Sequence, residues 1–398
     1  MYWDFSLKEQ VLVNFSFFSE KEVQRLTNAN NSKNYLHLNT DFKGFKEVMD
    51  INKLNKIISM PGLWHSQNFK MVLDRNAISF NKFVTDGEKL GFSKTCPDPI
   101  IVQDYIKKGA SLILDDIIYV VKNVKDLASE LQYITWGKCQ ANLYFSMQSH
   151  QAFGPHYDTH DVFALHCDGE KVWNIYENVE DNPINHPIFK PSLDERIEKA
   201  GKIKEQVLLK PGDLLYLPRG QYHDALASKN GAIHIAFGIN YMKPIDMMQF
   251  IWDQLVVNPY LRSDIKNLKS ISDVHEINKK ISRELDKILN DKNLFLPMLN
   301  FYKEFPYSFV DYDLKSIVAD GVQYKISDSI KLSNQNGQMI ISNGKNSVPV
   351  PKNFEELTNF SFSEKNISFK KLSEHFKDLP ESFIDEFIGA MKQMRVFS

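Results

Sequence analysis

A histidine and an aspartate two residues apart are the first feature of this sequence that could carry chemistry. Residues 154–158 read Gly-Pro-His-Tyr-Asp, which places His156 and Asp158 at positions i and i+2. On an extended chain such positions face the same side, so the imidazole and the carboxylate can converge on one point. They would be two thirds of the facial triad that holds non-haem iron and leaves coordination positions open. Alone, such a pair is more simply a solvent-facing pair on a loop.

A third ligand would have to come from another strand, and His223 is the candidate. Residues 210–220 hold a Pro-Gly turn, an apolar run at 214–217 and a Pro-Arg-Gly break. This places His223 just beyond a strand end, where small barrels have their mouth. His234 is a competing third ligand, although its apolar neighbours favour a hydrogen-bonded core histidine. Three other histidines of the region are set aside as surface or supporting groups: His150, His160 and His166.

The elements around these residues follow a β pattern. Between residues 139 and 242 short apolar or alternating runs are separated by turn residues, which favours an antiparallel sandwich or barrel. The predicted strands are 140–147, 161–166, 171–176, 206–209, 214–217 and 232–241. The polar segment 177–204, with its three prolines, is predicted to be a long insertion loop.

The flanking regions are more helical. Upstream, the predicted elements are helices at 21–27, 51–58, 99–107 and 124–133 and a strand at 110–114. After residue 244 the apolar side chains Ile277, Ile281, Leu285, Ile288 and Leu289 form one helical stripe. That stripe would be buried in its own domain or shared with a second subunit. From about residue 310 a strand at 338–342, bracketed by two Asn-Gly turns, precedes helices at 368–377 and 382–394.

Composition excludes several classes of protein. A chain of 398 residues predicts two or three domains. Because 48 Lys plus Arg stand against 50 Asp plus Glu, no nucleic-acid coating role is expected. The three cysteines form no CxxC pair, which favours a reducing compartment. With no signal peptide and no apolar run long enough for a membrane span, we expect a cytoplasmic protein.

Three motifs together resemble one family. They are Gly-Pro-His-Tyr-Asp-Thr-His-Asp-Val-Phe at 154–163, Gly-Glu-Lys-Val-Trp-Asn-Ile-Tyr at 169–176, and Pro-Gly-Asp-Leu-Leu-Tyr-Leu-Pro-Arg-Gly at 211–220. This combination closely resembles the JmjC-type ribosomal oxygenases, which are cupin-fold protein hydroxylases that use Fe(II) and 2-oxoglutarate. The motifs of the family are closely spaced from about residue 108 to 240. From there to the C-terminus only the order of the predicted elements resembles the family.

The resemblance implies a role for six residues. His156, Asp158 and His223 match the iron ligands, and Lys171 matches the residue that pairs with the distal carboxylate of 2-oxoglutarate. A lysine facing inward from a strand would need an anionic partner, since an unpaired buried ammonium is costly. Asn142 and Tyr144 match pocket residues that hydrogen-bond the co-substrate, although both could equally be polar residues at the core edge.

The resemblance also implies an architecture and partners. The expected fold is α+β, with a double-stranded β-helix (a cupin or JmjC jelly roll) at 1–243, a helical dimerisation region at 244–309 and a winged-helix-like domain at 310–398. The expected co-substrates are 2-oxoglutarate and O2, and the expected substrate is an Arg or His of a ribosomal protein. Residues 147–153 depart from the family's glycine-rich stretch near the substrate entrance, which leaves the target open.

Other functions remain open at this point. The same chemistry could act on another peptide, a small metabolite or a methylated lysine, because specificity lies in loops. A non-catalytic cupin that only binds a ligand is a different class, and intact candidate ligands together with Lys171 count against it. A cupin enzyme that uses zinc or manganese is a third class, although such sites usually supply more histidines at close spacing.

Overall fold

The computed structural model describes residues 15–39, 43–85, 95–147, 153–266, 268–303, 322–326, 330–335, 337–342, 347–394 and 396–397. The described residues divide into two compact units, one up to residue 242 and one from residue 243. The three domains expected from the sequence remain a prediction. Among the described helices, none is long and apolar enough to cross a membrane.

The first unit combines six helices with eleven strands among its described residues. The helices are α1 Glu20–Ser32, α2 Lys43–Lys46, α3 Ile51–Ile58, α4 Pro99–Lys107, α5 Lys122–Thr135 and α6 Leu193–Ala200. The strands are β1 Leu36–Leu38, β2 Phe69–Leu73, β3 Asn76–Ile78, β4 Val84–Thr85, β5 Cys96–Pro97, β6 Ser111–Leu114, β7 Lys138–Ser146, β8 Asp161–Val179, β9 Ile203–Leu209, β10 Leu214–Leu217 and β11 Gln221–Asn240.

Local capping explains where several helices begin. Ser19 and Glu22 form a capping box at the start of α1, and Asp50 and Asp98 accept hydrogen bonds from the first free backbone N–H groups of α3 and α4. The predicted helices at 51–58 and 99–107 are confirmed with the same bounds. The two other predicted helices of this region are confirmed but are longer at both ends.

A single antiparallel sheet forms the core of the unit. Its order is β1-β10-β8-β11-β7-β6-β2-β3, and β9 pairs with the second part of β8. Residues 161–169 of β8 pair with residues 232–239 of β11, whereas residues 171–179 of β8 pair with residues 221–227 of β11. The two longest strands therefore run through both halves of the sheet.

Two glycines mark the point where these strands change direction. Gly169 has φ +68° and Gly231 has φ +82°, and the register of β11 against β8 shifts between Ala227 and Ala232. A Cβ on Gly169 would lie 2.0 Å from the carbonyl oxygen of Gly231, so no other residue fits the close approach without distortion.

Beyond this bend the two halves face each other across an apolar cluster. Val162, Ala164, Leu215 and Leu217 come from one half, and Trp173, Ile175, Val207 and Leu209 come from the other. This arrangement confirms the predicted double-stranded β-helix.

Two expectations need correction. The predicted strands 161–166 and 171–176 are one continuous strand, β8, because the Gly169 bend redirects the chain without ending the pairing. The segment 177–204 is not only a loop, since it contains α6, which begins with a capping box between Ser192 and Glu195. Its prolines and polar residues concealed this short helix.

The second unit contains six helices and five strands among its described residues. The helices are α7 Pro244–Leu255, α8 Ile271–Leu289, α9 Phe295–Lys303, α10 Glu355–Glu364, α11 Phe369–His375 and α12 Glu381–Gln393. The strands are β12 Gln323–Lys325, β13 Lys331–Gln335, β14 Gln338–Ser342, β15 Ser347–Pro349 and β16 Asn366–Ser368.

The predicted apolar stripe lies on α8, but it is not fully buried. Ile277, Ile281, Leu285 and Ile288 are half-buried and Leu289 is exposed. The later part of the unit has a core of its own, centred on Ile367, Leu372, Ile384 and Phe387. There β13, β14 and β15 form a three-stranded sheet and β12 pairs with β16. Of the two predicted Asn-Gly turns only Gly337 is described, and its φ of +80° suits a hairpin turn.

Candidate metal centre and its cavity

The structure brings together the three residues that the sequence singles out as metal ligands. One ligand atom each from His156, Asp158 and His223 lies within 4.8 Å of the others. His156 and Asp158 lie on the loop before β8, and His223 is the third residue of β11. His223 thus lies inside a strand rather than only beyond the end of one. Among the described residues this is the one such cluster of His, Cys, Asp or Glu.

Backbone hydrogen bonds position both histidines. The N–H of His156 donates to the carbonyl of His223 over 3.0 Å, and the N–H of His223 donates to the carbonyl of His156 over 2.8 Å. The Nδ1 of His156 lies 2.9 Å from the carbonyl oxygen of Gly154, and the Nδ1 of His223 lies 2.9 Å from that of Gln221. Because a carbonyl only accepts, both Nδ1 atoms carry the proton, and each Nε2 is left with a lone pair for a metal.

A buried aspartate holds the loop that carries Asp158. Asp161 is fully buried, and its Oδ1 accepts from the backbone N–H of Arg219 over 2.7 Å. Its Oδ2 accepts from the Tyr216 hydroxyl over 2.9 Å and from the Asn30 amide over 2.9 Å. The carboxylate therefore ties α1 to the two segments that lead to the candidate ligands.

The electrostatics of the cluster suit a divalent cation. Burial disfavours the ionised form of Asp158, but His223, His156 and His160 outweigh it and hold the pKa of Asp158 below its usual range. Burial, reinforced by His156, lowers the pKa of His223 to about 4. One carboxylate and two imidazole lone pairs are the donor set of an iron facial triad, so the residues fit such an ion.

The cluster opens into a cavity of about 240 Å³ between the two halves of the sheet. This volume is slightly below the usual range for small-molecule sites, which begins at about 300 Å³. The candidate residues Lys171, Asn142 and Tyr144 all line it. It is also lined by Gln140, Ser146, Phe153, His160, Val162, Trp173, Ala225, Ala227, His234, Ala236 and Gly238.

The cavity has an open end and a closed end. Along β7 the inward-facing residues pass from exposed Gln140, through half-buried Asn142 and Tyr144, to buried Ser146. In the register of β7 with β11, Gly238 lies opposite Gln140, and His234 lies opposite Tyr144. Four residues of a strand span about 13 Å, so Gln140 and His234 belong to opposite ends of the cavity.

Lys171 lies at the closed end without a carboxylate partner among the described residues. Its side chain is 6% exposed. Its Nζ lies 3.4 Å from the Nδ1 of His234 and 5.9 Å from the centre of the Trp173 ring. Burial lowers the pKa of Lys171 to about 7. The buried Nε1–H of Trp173 also has no hydrogen-bond partner among the residues described. An anion entering the cavity would satisfy these donors.

A hydrogen bond holds Asn142 in place at the cavity wall, and ring stacking holds Tyr144. The Oδ1 of Asn142 accepts from the backbone N–H of Asp116 over 3.2 Å. The Tyr144 ring stacks on His234 with centroids 4.8 Å apart and planes 9° apart. Burial raises the pKa of Tyr144, and the charge of Asp158 raises it further. The hydroxyl therefore remains a hydrogen-bond donor at neutral pH.

The other histidines of the region separate by location. His166 is fully buried, with its Nε2 3.1 Å from the carbonyl oxygen of Gly169. His160 and His234 line the cavity without belonging to the ligand cluster. His150 lies outside the described residues, as does the stretch 148–152 near the expected substrate entrance.

The sequence reasoning overlooked Gln140 and Trp173 as cavity residues. The alternation of a strand could have found both, since Gln140 precedes Asn142 by two and Trp173 follows Lys171 by two. No sequence signal places Gly238 against His160, because that contact depends on the register between strands.

Comparison with known proteins shows what the region that contains these residues is similar to. Residues 120–247 match the family model of the JmjC domain. This part of the chain is similar to the JmjC domain. The matched range includes all three candidate ligands together with Lys171, Asn142 and Tyr144.

Curated relatives share this part of the chain. The bifunctional lysine-specific demethylase and histidyl-hydroxylase NO66 of Dictyostelium discoideum is 35% identical over 192 residues, which are 48% of this chain and 35% of that protein. The protein of the same name from Drosophila persimilis is 33% identical over 180 residues, 42% of this chain and 25% of that protein. The match therefore spans about a third or less of the length of these relatives.

Solved structures extend the similarity over most of the chain. The crystal structure of the Escherichia coli ribosomal oxygenase YcfD superposes with a TM-score of 0.50 at 14% identity, covering 92% of this chain and 94% of that one. An X-ray structure of E. coli ycfD gives a TM-score of 0.51 at 15% identity with the same coverage. These neighbours confirm the fold class that the sequence resemblance implied.

Proposed function

We propose that this protein is an Fe(II)- and 2-oxoglutarate-dependent oxygenase that hydroxylates a protein side chain. The observation that carries the proposal is one cavity with a His-Asp-His cluster and, at its closed end, a buried lysine that has no carboxylate partner among the described residues. A triad alone fits many metal enzymes, and a buried lysine alone fits many anion sites. Their combination suits a co-substrate that chelates a metal at one end and carries a free carboxylate at the other.

In this proposal each residue has a defined task. The Nε2 atoms of His156 and His223 and the carboxylate of Asp158 hold the iron. Lys171 pairs with the distal carboxylate of 2-oxoglutarate, which supplies the anionic partner that the ammonium lacks among the described residues. Tyr144 and Asn142 donate hydrogen bonds to the co-substrate from the β7 wall.

The proposed reaction depends on the chemistry that bound iron(II) would supply. Iron(II) bound there would let O2 oxidise 2-oxoglutarate to succinate and CO2 while a C–H bond of the target becomes C–OH. The chain's own contribution is to fix the geometry and to exclude water. Apolar and aromatic residues serve the second task, because Val162, Trp173 and Ala236 line the same cavity.

The target in this proposal is an Arg or His side chain of a ribosomal protein. The relatives named for histidyl hydroxylation and the neighbour named a ribosomal oxygenase support this choice. The same relatives are also named lysine-specific demethylases, which need the same iron chemistry. No feature of the cavity favours demethylation, another peptide, a small metabolite or a binding role without catalysis, so these are outcomes of the test below.

A homodimer is part of the proposal. Helix α7 exposes the side chains Ile245, Met248 and Trp252, followed by Val256 just beyond its end. Their spacing of three, four and four residues puts them on one helical face. A second copy that covers this face would explain a tryptophan that is 60% exposed. The change Trp252→Glu should convert the dimer to a monomer in sedimentation analysis, and an unchanged dimer would locate the interface elsewhere.

Three further features of the proposal concern the setting of the enzyme. A cytoplasmic location is supported by three buried cysteines, which suit a reducing compartment. A winged-helix-like C-terminal domain is supported by the order of its helices and strands. Direct nucleic-acid binding is not expected, because basic and acidic residues are nearly balanced in that domain.

Succinate formation and mass spectrometry test the proposed function together. Purified protein would be supplied with Fe(II), 2-oxoglutarate and O2, with and without ribosomal proteins as the candidate substrate. We expect succinate in both cases, more of it with ribosomal proteins, and a mass gain of one oxygen atom on an Arg or His. Succinate formation that does not increase with ribosomal proteins would support the oxygenase activity but reject ribosomal proteins as the target. No succinate with iron bound would favour a binding protein.

A further inference from the structure

A glycine in the middle of a central strand needs an explanation. Gly238 lies in β11 between Gln140 of β7 and Val162 of β8. Its backbone does not have the positive φ that would demand glycine. Glycine weakens a strand interior, so such a position usually marks a close approach of another group.

The group that approaches Gly238 is the imidazole of His160. A Cβ built on Gly238 would lie 2.9 Å, 3.1 Å and 3.2 Å from the Cε1, Nδ1 and Nε2 atoms of that ring. Three such similar distances mean that the face of the ring lies over the glycine. The missing side chain of Gly238 is therefore the space that His160 occupies at the cavity wall.

The contacts of His160 leave one nitrogen open. Its Nδ1 lies 3.2 Å from the carbonyl oxygen of Asp161, and since the carbonyl can only accept, Nδ1 carries the proton. In the neutral ring Nε2 is then an acceptor, and within the described part of the chain it has no hydrogen-bond partner. His160 lines the same cavity as the His-Asp-His cluster.

Gln140 adds a second polar group at the same end. It lies directly opposite Gly238 in the β7–β11 register and is exposed at the open end of the cavity. Its side-chain amide has no hydrogen bond to any described residue. The open end thus presents an imidazole acceptor and a carboxamide, whose oxygen accepts and whose NH2 group donates, whereas the closed end presents the ammonium of Lys171.

We infer that His160 and Gln140 form the subsite that receives the target side chain, with Gly238 providing the room for the imidazole. The inference rests on the proposed function and deepens it. Two acceptors at the entrance select a side chain that offers N–H donors, such as an imidazole or a guanidinium. A trimethylated lysine offers no N–H group, so this subsite disfavours it.

The steric part of the inference can be tested without any ligand. We expect Gly238→Ala to lower the thermal midpoint in the wild-type background and to have little effect in a His160→Ala background, because the clash is then gone. Gly62→Ala is the matched control, since a Cβ there has nothing within 4 Å. Equal losses from Gly238→Ala in both backgrounds would refute the pairing.

The recognition part needs defined probes and the complete protein. N-acetyl-arginine methylamide, N-acetyl-histidine methylamide and the trimethyllysine equivalent would be titrated by NMR into protein loaded with Fe(II) and 2-oxoglutarate under nitrogen. We expect binding of the arginine or the histidine amide, with about three- to tenfold weaker binding after His160→Ala or Gln140→Ala. His275→Ala, an exposed histidine on α8, should leave binding unchanged.

The results distinguish a failure of the proposed subsite from a failure of the proposed oxygenase function. Equal binding by wild type and His160→Ala, preference for trimethyllysine, or no binding of either amide would overturn the subsite while leaving the oxygenase proposal in place. Direct ligation of iron by the histidine probe would persist in His160→Ala and therefore count against the subsite. Failure of the wild-type protein to bind 2-oxoglutarate at all would instead count against the proposed function.

Discussion

The His-Asp-His cluster and the closed end of the cavity differ in how far the protein alone satisfies their polar groups. At the metal cluster, backbone carbonyls of Gly154 and Gln221 fix both histidine rings, and the buried Asp161 holds the adjoining loops. At the closed end, the polar and ring contacts of the Lys171 ammonium among the described residues are with a histidine and the face of a tryptophan. The His-Asp-His cluster is organised before any ligand arrives, whereas the closed end is complete only with an anion. This contrast supports the proposal that one ligand reaches from the His-Asp-His cluster to the closed end of the cavity.

Removal of a metal ligand should have the largest effect. Asp158→Ala takes away the only charged donor of the cluster, so we expect iron affinity to fall by about 100-fold or more. Metal analysis of protein equilibrated with Fe(II) measures this directly. The far-UV circular dichroism spectrum should be unchanged, because Asp158 lies on a loop. Stoichiometric iron in Asp158→Ala would remove this residue from the site.

The closed end should respond through the co-substrate and not through the metal. We expect Lys171→Ala to raise the 2-oxoglutarate concentration for half-maximal turnover by about 10- to 100-fold, the cost of losing a charged hydrogen bond. Iron content should remain at the wild-type level. If Lys171→Ala instead lost iron and kept the wild-type 2-oxoglutarate requirement, Lys171 would belong to the metal site and not to the co-substrate site.

Without co-substrate, the unpaired ammonium should destabilise the fold in a pH-dependent way. Burial lowers the pKa of Lys171 from 10.5 to about 7, so the unfolded state binds the proton more tightly. The penalty is therefore fully present below pH 7 and disappears as the pH rises towards 10.5. At about 1.4 kcal/mol per pKa unit it reaches up to about 5 kcal/mol.

Urea unfolding of wild type and Lys171→Met measures this penalty. We expect the methionine variant to be the more stable at pH 7 without 2-oxoglutarate, and its advantage to shrink as the pH is raised to 10. Comparison of the two proteins at each pH cancels the titration of all other groups. A constant difference across this range would mean that Lys171 is already paired or solvated in the folded protein.

The smallest expected effect concerns Tyr144 on the β7 wall of the cavity. Tyr144→Phe removes a hydroxyl but keeps the ring that stacks on His234. We expect 2-oxoglutarate affinity to fall by about two- to tenfold, the range for one neutral hydrogen bond. Calorimetric titration under nitrogen provides the value. An unaltered affinity would leave Tyr144 as a packing residue only.

The sequence predicted the candidate ligands better than their surroundings. The i and i+2 spacing of His156 and Asp158 was sufficient to predict convergence, because alternation along an extended chain is a local property. His223 could be proposed from its position after a strand, and the apolar neighbours of His234 already favoured a core role for that competitor. The fold class followed from the same motifs.

What could not be predicted depends on register and bends. The contact between Lys171 and His234 joins residues 63 positions apart and depends on the register shift between Ala227 and Ala232. The packing of the His160 ring over Gly238 likewise depends on the alignment of β7, β8 and β11. A single residue of slippage would turn these side chains to the other face of the sheet. Local sequence patterns do not contain that information.

The most direct test of the central claim is 2-oxoglutarate turnover by the wild type beside Asp158→Ala and Lys171→Ala. Each protein would be supplied with Fe(II), O2 and a range of 2-oxoglutarate concentrations, and succinate would be measured. We expect succinate from wild type at low 2-oxoglutarate, from Lys171→Ala only at high concentration, and none from Asp158→Ala at any concentration. Equal succinate formation by all three proteins would contradict it.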